Sequence, residues 1–431
     1  MSTIALFPEA SFGAALNCVA IAQALVRRGA TPVFICHPGF TGIFADYGFK
    51  EYHLPTASAA ASAGPGVTTE DYWQAFINRH LPHFNLPPTE QLCTYVGPTW
   101  EAIVDTAITA EAGLEETIAQ IRPDAIILDN VITFPAVANA PCPWVRVISC
   151  AETELPDAEV PPYLSGITAD DPDRASFEAA YLAAVHPAHE RYNSFRRAQG
   201  LPALPGGVFM EPSPHLNLLL SPKPVRYIRA RPLDPAKYHY LEGCVRQEAQ
   251  YEVPVLPANT GPLVYVSFGS LGAIDTDLMQ RMIGVFAKIP ARFIVNVGGF
   301  PETYRNVPDN VALGSWFPQP SVVAQCDLFI HHGGNNSFCE ALYHGVPSLV
   351  MPYCWDGHDN AQRAETTRTG QSMPRTGWSD ADLREAIIGL LLNKAMQRRL
   401  SAIGAAMRAH PGNECAASAI LHMLAPVSLP A

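Results

Sequence analysis

The sequence predicts an α/β protein made of two doubly wound domains that face a cleft, and three observations predict it. The 431 residues exceed what one hydrophobic core usually organises. In both halves short apolar runs alternate with stretches of helical period, the pattern of βαβ units and parallel sheets. Residues 251–261, which include Pro254, Pro257, Asn259 and Gly261, interrupt the pattern and read as a linker between the two series.

Taken in order, residues 4–7 are a short apolar run and predict a strand. Residues 8–13 form a turn-rich loop. Leu16, Val19, Ala20, Ala24 and Leu25 recur at helical spacing, and the helix closes on Arg27, Arg28 and Gly29. Residues 32–36 are the next strand, which completes a βαβ opening. Residues 57–66, rich in Ala, Ser, Gly and Pro, predict a loop. A helix is expected over 106–121, a buried strand over 124–128 ending at Asp129, and another over 145–148. A polar loop at 170–174 leads into a helix around 175–199. Beyond the linker the expected strands are 263–268, 293–297, 311–313, 328–331 and 348–351, with a helix over 277–287 and closing helices from 380 to 424. The expected domains are therefore 1–250 and 262–410, with 411–431 a terminal helix packing back on the first domain.

Composition narrows the function. The formal charge is −12 and no long basic run is present, which argues against a nucleic-acid partner. Every apolar run is broken within about ten residues, short of the roughly 20 that a membrane-spanning helix needs. The first residues carry no basic leader, so no signal peptide is expected. Ten scattered cysteines without a CxxC pair fit reduced thiols in a cytoplasm better than disulfides or a zinc site.

The most informative stretch is 313–363. A strand leads into His331-His332-Gly333-Gly334-Asn335-Asn336-Ser337 and then a helix expected over 338–344, stopped by Gly345. A glycine turn feeding a helix start is an anion site: the first-turn amides are unpaired and the helix dipole adds positive charge. Gly333 and Gly334 let backbone approach a phosphate, while His332, Asn336 and Ser337 can donate side-chain hydrogen bonds. A purely structural alternative is a capping box formed by Ser337 and Glu340. The two adjacent histidines point in different directions and have no third ligand at helical spacing, so no metal site is expected.

Leu313-Gly314-Ser315-Trp316-Phe317-Pro318-Gln319, the run from His331 to Glu340, and Pro352 through Asp356 to Asn360 together resemble the donor signature of family-one UDP-glycosyltransferases. That family has the GT-B fold of two Rossmann-like domains, and its bacterial antibiotic- and macrolide-glycosylating branch is the most similar. Val266 to Ser270 extends the resemblance. It implies that the chain is an inverting, metal-independent hexosyltransferase without a cofactor. The donor would be a nucleotide sugar, UDP- or dTDP-linked, held by the C-terminal domain, and a small apolar or aromatic acceptor would sit in the N-terminal domain. Position by position, it implies that Trp316 stacks on the base and Gln319 lies by the ribose. His332, Gly334, Asn336 and Ser337 would hold the diphosphate with Ser270 nearby. Glu340 would accept from ribose hydroxyls and Asp356 from the sugar. Core packing is the alternative for Trp316, and a solvated loop charge for Asp356.

Two positions depart from the family pattern. The aspartate at 356 is usually followed by Gln, and Gly357 here either leaves room for a bulkier sugar or removes a hydrogen bond. The family's catalytic histidine falls on Ala14, which cannot take a proton; its acidic partner falls on Asp129. Asp129 and Glu9 are the candidate bases, with His37 a third, unless an acidic phenol or an amine acceptor needs little deprotonation. Tyr72, Trp73, Phe76, Trp100 and residues 38–48 could line the acceptor pocket. A monomer or homodimer is expected. The rival readings are an inactive nucleotide-sugar-binding partner protein and a sugar-nucleotide epimerase.

Overall fold

The inner strands of the first sheet follow from apolar runs that are buried on both faces, while the edge strands Lys50–His53 and Tyr238–Tyr240 have no fully buried residue. The strands of this sheet are β1 (Thr3–Pro8), β2 (Thr31–Cys36), β3 (Lys50–His53), β4 (Ala125–Asp129), β5 (Trp144–Ile148), β6 (Leu216–Leu219) and β7 (Tyr238–Tyr240). They lie in the order β3-β2-β1-β4-β5-β6-β7, all parallel. The computed structural model describes residues 2–54, 75, 78, 79, 81–256, 261–299 and 301–425. The loop expected at 57–66 and the aromatics Tyr72, Trp73 and Phe76 lie outside the described residues. The second sheet has strands β8 (Leu263–Ser267), β9 (Arg292–Asn296), β10 (Val311–Gly314), β11 (Leu328–His331), β12 (Ser348–Val350) and β13 (Gly370–Ser372), ordered β10-β9-β8-β11-β12-β13 and again parallel.

The long helices are α1 (Phe12–Arg27), α2 (Gly97–Ile121), α3 (Arg174–Ala198), α4 (Thr276–Phe286), α5 (Asn335–His344), α6 (Asp356–Thr366), α7 (Asp380–Leu392), α8 (Lys394–Ala409) and α9 (Gly412–Leu424). Helix α1 starts where Ser11 accepts the Ala14 amide, a serine N-cap. Helix α5 stops at Gly345, whose φ of 75° suits a residue without a side chain. Helix α9 crosses back onto the first domain: Ala416, Ala417 and Ile420 are buried in the core that contains α1, and Glu414 pairs with Arg27 at 2.6 Å and Arg28 at 3.2 Å.

Chain order reverses between β1 and β4 in one sheet and between β8 and β11 in the other, and ligands in such sheets sit beyond the strand ends at these points. The register sets Pro8 beside Asp129 and Ser267 beside His331. Both switch points open on the seam between the domains, where Phe84 meets Tyr353 at 4.9 Å. Trp100 is buried, stacked on Phe209 at 3.8 Å and 10°, so it belongs to the core; only its contact with Trp355 at 5.8 Å reaches the seam.

Candidate active site

Strand β11 ends at His331, and the chain then turns sharply. Gly333 has a φ of 92°, and a side chain there would lie 2.6 Å from the Gly357 carbonyl. A side chain at Gly334 would lie 2.5 Å from the His332 ring. Close approach thus favours glycine at both positions, and at Gly333 the left-handed backbone requires it as well. His331 is fully buried and its Nδ1 accepts the Gly333 amide at 3.1 Å, so this histidine shapes the turn. Burial lowers it to about 3. His332 points elsewhere and stacks on Tyr353 at 5.2 Å. Burial lowers it to about 4, so it is a neutral hydrogen-bonding ring at pH 7.

Helix α5 begins at Asn335 with Gly334 as a cap that supplies no side chain. The capping-box alternative is thereby overturned: Ser337 sits inside the first turn instead of preceding it. Its partner in that reading, Glu340, faces other groups. Glu340 Oε2 accepts Gln319 Nε2 at 2.7 Å, and Oε1 accepts Arg246 Nη1 at 3.0 Å. Gln319 also donates to Ser337 Oγ at 3.1 Å. Burial raises Glu340 while Arg246 opposes the shift, a balance that keeps a buried carboxylate paired. Sequence reasoning missed Arg246, which lies 94 residues from its partner. The start of α5 is also shorter of free amides than expected, because Asp356 Oδ2 accepts the Asn335 N–H at 2.9 Å. Those of Asn336 and Ser337 complete the first turn.

Asp356 opens α6 and follows Trp355, a non-glycine residue at φ 53° and ψ −140°. Such a conformation costs on the order of 1–3 kcal/mol and persists where surroundings impose it. Here the Trp355 indole packs against Trp100 and against Tyr163 at 6.3 Å. Burial raises Asp356 to about 7. The expectation that Gly357 makes space for a sugar meets a different geometry: a Cβ at 357 would stand 2.6 Å from the His332 carbonyl oxygen. The residue is small because two backbone segments touch there.

Trp316 is 53 % exposed and leans on Phe12 at 5.4 Å, and Phe12 in turn leans on Phe40 at 5.3 Å, both pairs tilted, so of residues 38–48 Phe40 reaches this aromatic row. Core packing is excluded as its role. Ser270 is exposed at the end of β8, next to Gly269, against which the His332 ring rests. Asn336 Nδ2 donates to the Gly13 carbonyl at 2.6 Å. All nine residues expected to hold the donor thus stand at the C-terminal ends of β8, β10, β11 and β12.

On the opposite wall, Asp129 is 2 % exposed and both its oxygens are engaged: Oδ1 accepts Ser149 Oγ at 2.6 Å and Oδ2 accepts Asn17 Nδ2 at 2.7 Å. Burial raises it to about 7. Glu9 sits beside it, its amide donating to the Asp129 carbonyl at 2.7 Å. Glu9 is partly exposed; Oε2 accepts Ser11 Oγ at 3.2 Å, and burial in the cleft raises it to about 7. His37 is buried against Phe7 at 5.1 Å and lowered to about 4 by burial. Ala14 is buried in the first turn of α1.

Residues 280–423 match the family described as "Erythromycin biosynthesis protein CIII-like, C-terminal domain". The chain is 23% identical over 421 residues to the oleandomycin glycosyltransferase of Streptomyces antibioticus, covering 97% of this chain and 90% of that protein. Over 140 residues it is 38% identical to the UDP-glycosyltransferase UGT4 of Dactylopius coccus, covering 32% of this chain but only 27% of that protein's length. Among solved structures, the glycotransferase of kitacinnamycin superposes with a TM-score of 0.71 at 19% identity, over 98% of this chain and 99% of that one. The glycosyltransferase VinC, solved in complex with dTDP, gives 0.64 at 16% identity, over 98% and 99%.

Proposed function

We propose that this chain, whose residues 280–423 match the erythromycin CIII-like C-terminal family and which shares the GT-B fold of its solved neighbours, transfers a sugar from a nucleoside diphosphate to a small apolar or aromatic acceptor, with inversion and without a metal ion. The observation that carries this reading is the start of α5: a double-glycine turn and first-turn amides open on the cleft, directly beside Asp356 and the Gln319–Ser337–Glu340 network. A nucleoside diphosphate fits that set. Its phosphates meet amides and the helix dipole, its ribose meets a buried carboxylate, and its base meets the exposed face of Trp316.

The acceptor hydroxyl would approach from the wall of the N-terminal domain. Its oxygen bonds to the anomeric carbon as the bond from that carbon to the diphosphate oxygen breaks. The electron pair leaves on the diphosphate, where the α5 amides and the neutral His332 stabilise it. One displacement from the opposite face inverts the anomeric centre. The hydroxyl proton goes to Glu9. Of the two adjacent carboxylates, only Glu9 is partly open to the cleft, whereas Asp129 spends both oxygens on Ser149 and Asn17. A carboxyl raised to about 7 is suited to accept a proton near neutral pH. Asp129 then anchors the Glu9 loop through its carbonyl.

The test is calorimetric titration with UDP and dTDP, followed by mass-spectrometric detection of nucleotide release from UDP- and dTDP-sugars with and without phenolic and macrolide acceptors. Nucleotide binding together with a glycosylated product supports the reading. Absence of binding to either nucleotide overturns it, and binding without any sugar release marks an inactive partner protein.

A further inference from the structure

Asn335 carries a role that neither the motif nor the family resemblance assigns. Its side chain is 7 % exposed, and Nδ2 donates to the Ser149 carbonyl at 2.9 Å and the Leu220 carbonyl at 2.8 Å, the residues just past the ends of β5 and β6. Its own amide meanwhile donates to Asp356. Ser149 uses its carbonyl for Asn335 and its hydroxyl for Asp129, and the Asp129 carbonyl takes the Glu9 amide. A continuous line of short hydrogen bonds therefore runs Glu9–Asp129–Ser149–Asn335–Asp356, from the acceptor wall to the sugar-binding carboxylate.

We propose that Asn335 is a positioning residue that fixes the acceptor-side carboxylates relative to the first turn of α5, setting the distance between attacking oxygen and anomeric carbon. The proposal rests on the transferase reading above. Other bonds also cross the seam. Asp359 accepts Thr153 Oγ1 at 2.6 Å and the Leu164 and Gly166 amides at 2.9 Å each, and Arg363 Nε donates to the Val225 carbonyl at 2.6 Å. These bonds hold the domains together. The Asn335 bonds lie on the line joining the two reacting partners, and there a displacement of about 1 Å can cost on the order of a hundredfold in rate.

The experiment compares wild type, Asn335→Ala, Ser149→Ala and Arg363→Met for nucleotide affinity, acceptor transfer and hydrolysis of the donor by water. Water needs no register with the acceptor wall, so loss of positioning lowers transfer and spares hydrolysis. For Asn335→Ala and Ser149→Ala the expected result is a hydrolysis-to-transfer ratio raised roughly tenfold or more, within the range that misplacement produces, with nucleotide affinity nearly unchanged. Arg363→Met, which weakens the seam elsewhere, keeps the wild-type ratio. Transfer and hydrolysis falling in proportion in the Asn335 and Ser149 variants, or Arg363→Met shifting the ratio equally, overturns the proposal. If Asn335→Ala does not fold, Asn335→Leu decides, since it keeps a similar side-chain volume and removes the donor to both carbonyls. A wild type that neither binds nucleotide nor releases sugar sinks the transferase reading, which is a distinct outcome.

Discussion

Gly357→Ala tests whether the donor turn is set by contact between two backbone segments. The added Cβ would lie 2.6 Å from the His332 carbonyl oxygen, a backbone atom that no side-chain rotation can move aside. An ordinary carbon–oxygen contact is about 3.2 Å or more, so α6 or the turn must shift by roughly half an ångström, and overpacking of this kind costs typically 1–3 kcal/mol. The shift cannot be absorbed on the far side either, because the Gly357 carbonyl and Cα already limit the space over Gly333. If the turn carries the strain, nucleotide affinity falls by roughly 5- to 150-fold, the equivalent of that energy at 1.4 kcal/mol per decade. If α6 carries it, the loss appears as a lower denaturant midpoint at constant slope. The assays are titration with UDP and dTDP and urea unfolding followed by circular dichroism. A variant with an unchanged midpoint and a dissociation constant within twofold of wild type would refute the argument. It would restore the alternative that Gly357 serves the sugar.

The remaining perturbations address the base, the stacking face and the buried pair. Glu9→Gln should lower transfer by roughly 10²- to 10⁴-fold, the usual range for a general base, without changing nucleotide affinity. Because the base must be ionised, the wild-type rate should rise with pH through about 7, and that limb should vanish in the variant; Asp129→Asn should keep more activity, and the reverse order would reject Glu9. Trp316→Ala should leave stability within about 0.5 kcal/mol, as expected at an exposed site. It should weaken nucleotide binding by the roughly 1–3 kcal/mol that a base–aromatic stack supplies; equal affinity for variant and wild type would remove Trp316 from the site. Arg246→Met strands Glu340 as a buried unpaired charge and should cost about 3–5 kcal/mol in urea unfolding. Adding Glu340→Gln should recover part of that loss, and a double variant no more stable than the single would contradict the pairing.

What the sequence revealed and what it hid divide along one physical line. Strands β1, β2, β4, β5, β8 and β11 are buried on both faces and announce themselves as continuous apolar runs. The edge strands do not: Lys50–His53 has no fully buried residue, and Gly370–Ser372 has only three residues and one of them is glycine. Helix α6, DGHDNAQRAET, is too polar to show an apolar stripe, and the face it buries consists of the polar Asp359 and Asn360 beside the small Gly357, Ala361 and Ala364. The candidate donor residues were legible as a motif because the signature from Trp316 to Asp356 is local, each strand end being followed at once by its side chains. Their partners were not. Arg246 for Glu340, Gly13 for Asn336 and Phe12 for Trp316 come from across the seam, and no periodicity reports a contact between residues 94 to 323 positions apart.

The same division bears on the alanine that stands where the resembling family carries histidine. At position 14 alanine fills the first turn of α1 with no acid–base capacity. Three residues before the first residue of α1, however, the end of β1 delivers Glu9 to the neighbourhood of Asp129, because the register pairs Pro8 with Asp129 directly. Parallel pairing of β1 with β4 thus brings residue 9 next to Asp129 whatever stands at 14, and burial raises both carboxyls, with Glu154 adding to the shift of Glu9 and Glu9 and Glu154 adding to that of Asp129. Proton-accepting capacity near neutral pH is then a property of the strand register, and the helix that follows is free to present Phe12 and the Gly13 carbonyl to the opposite domain.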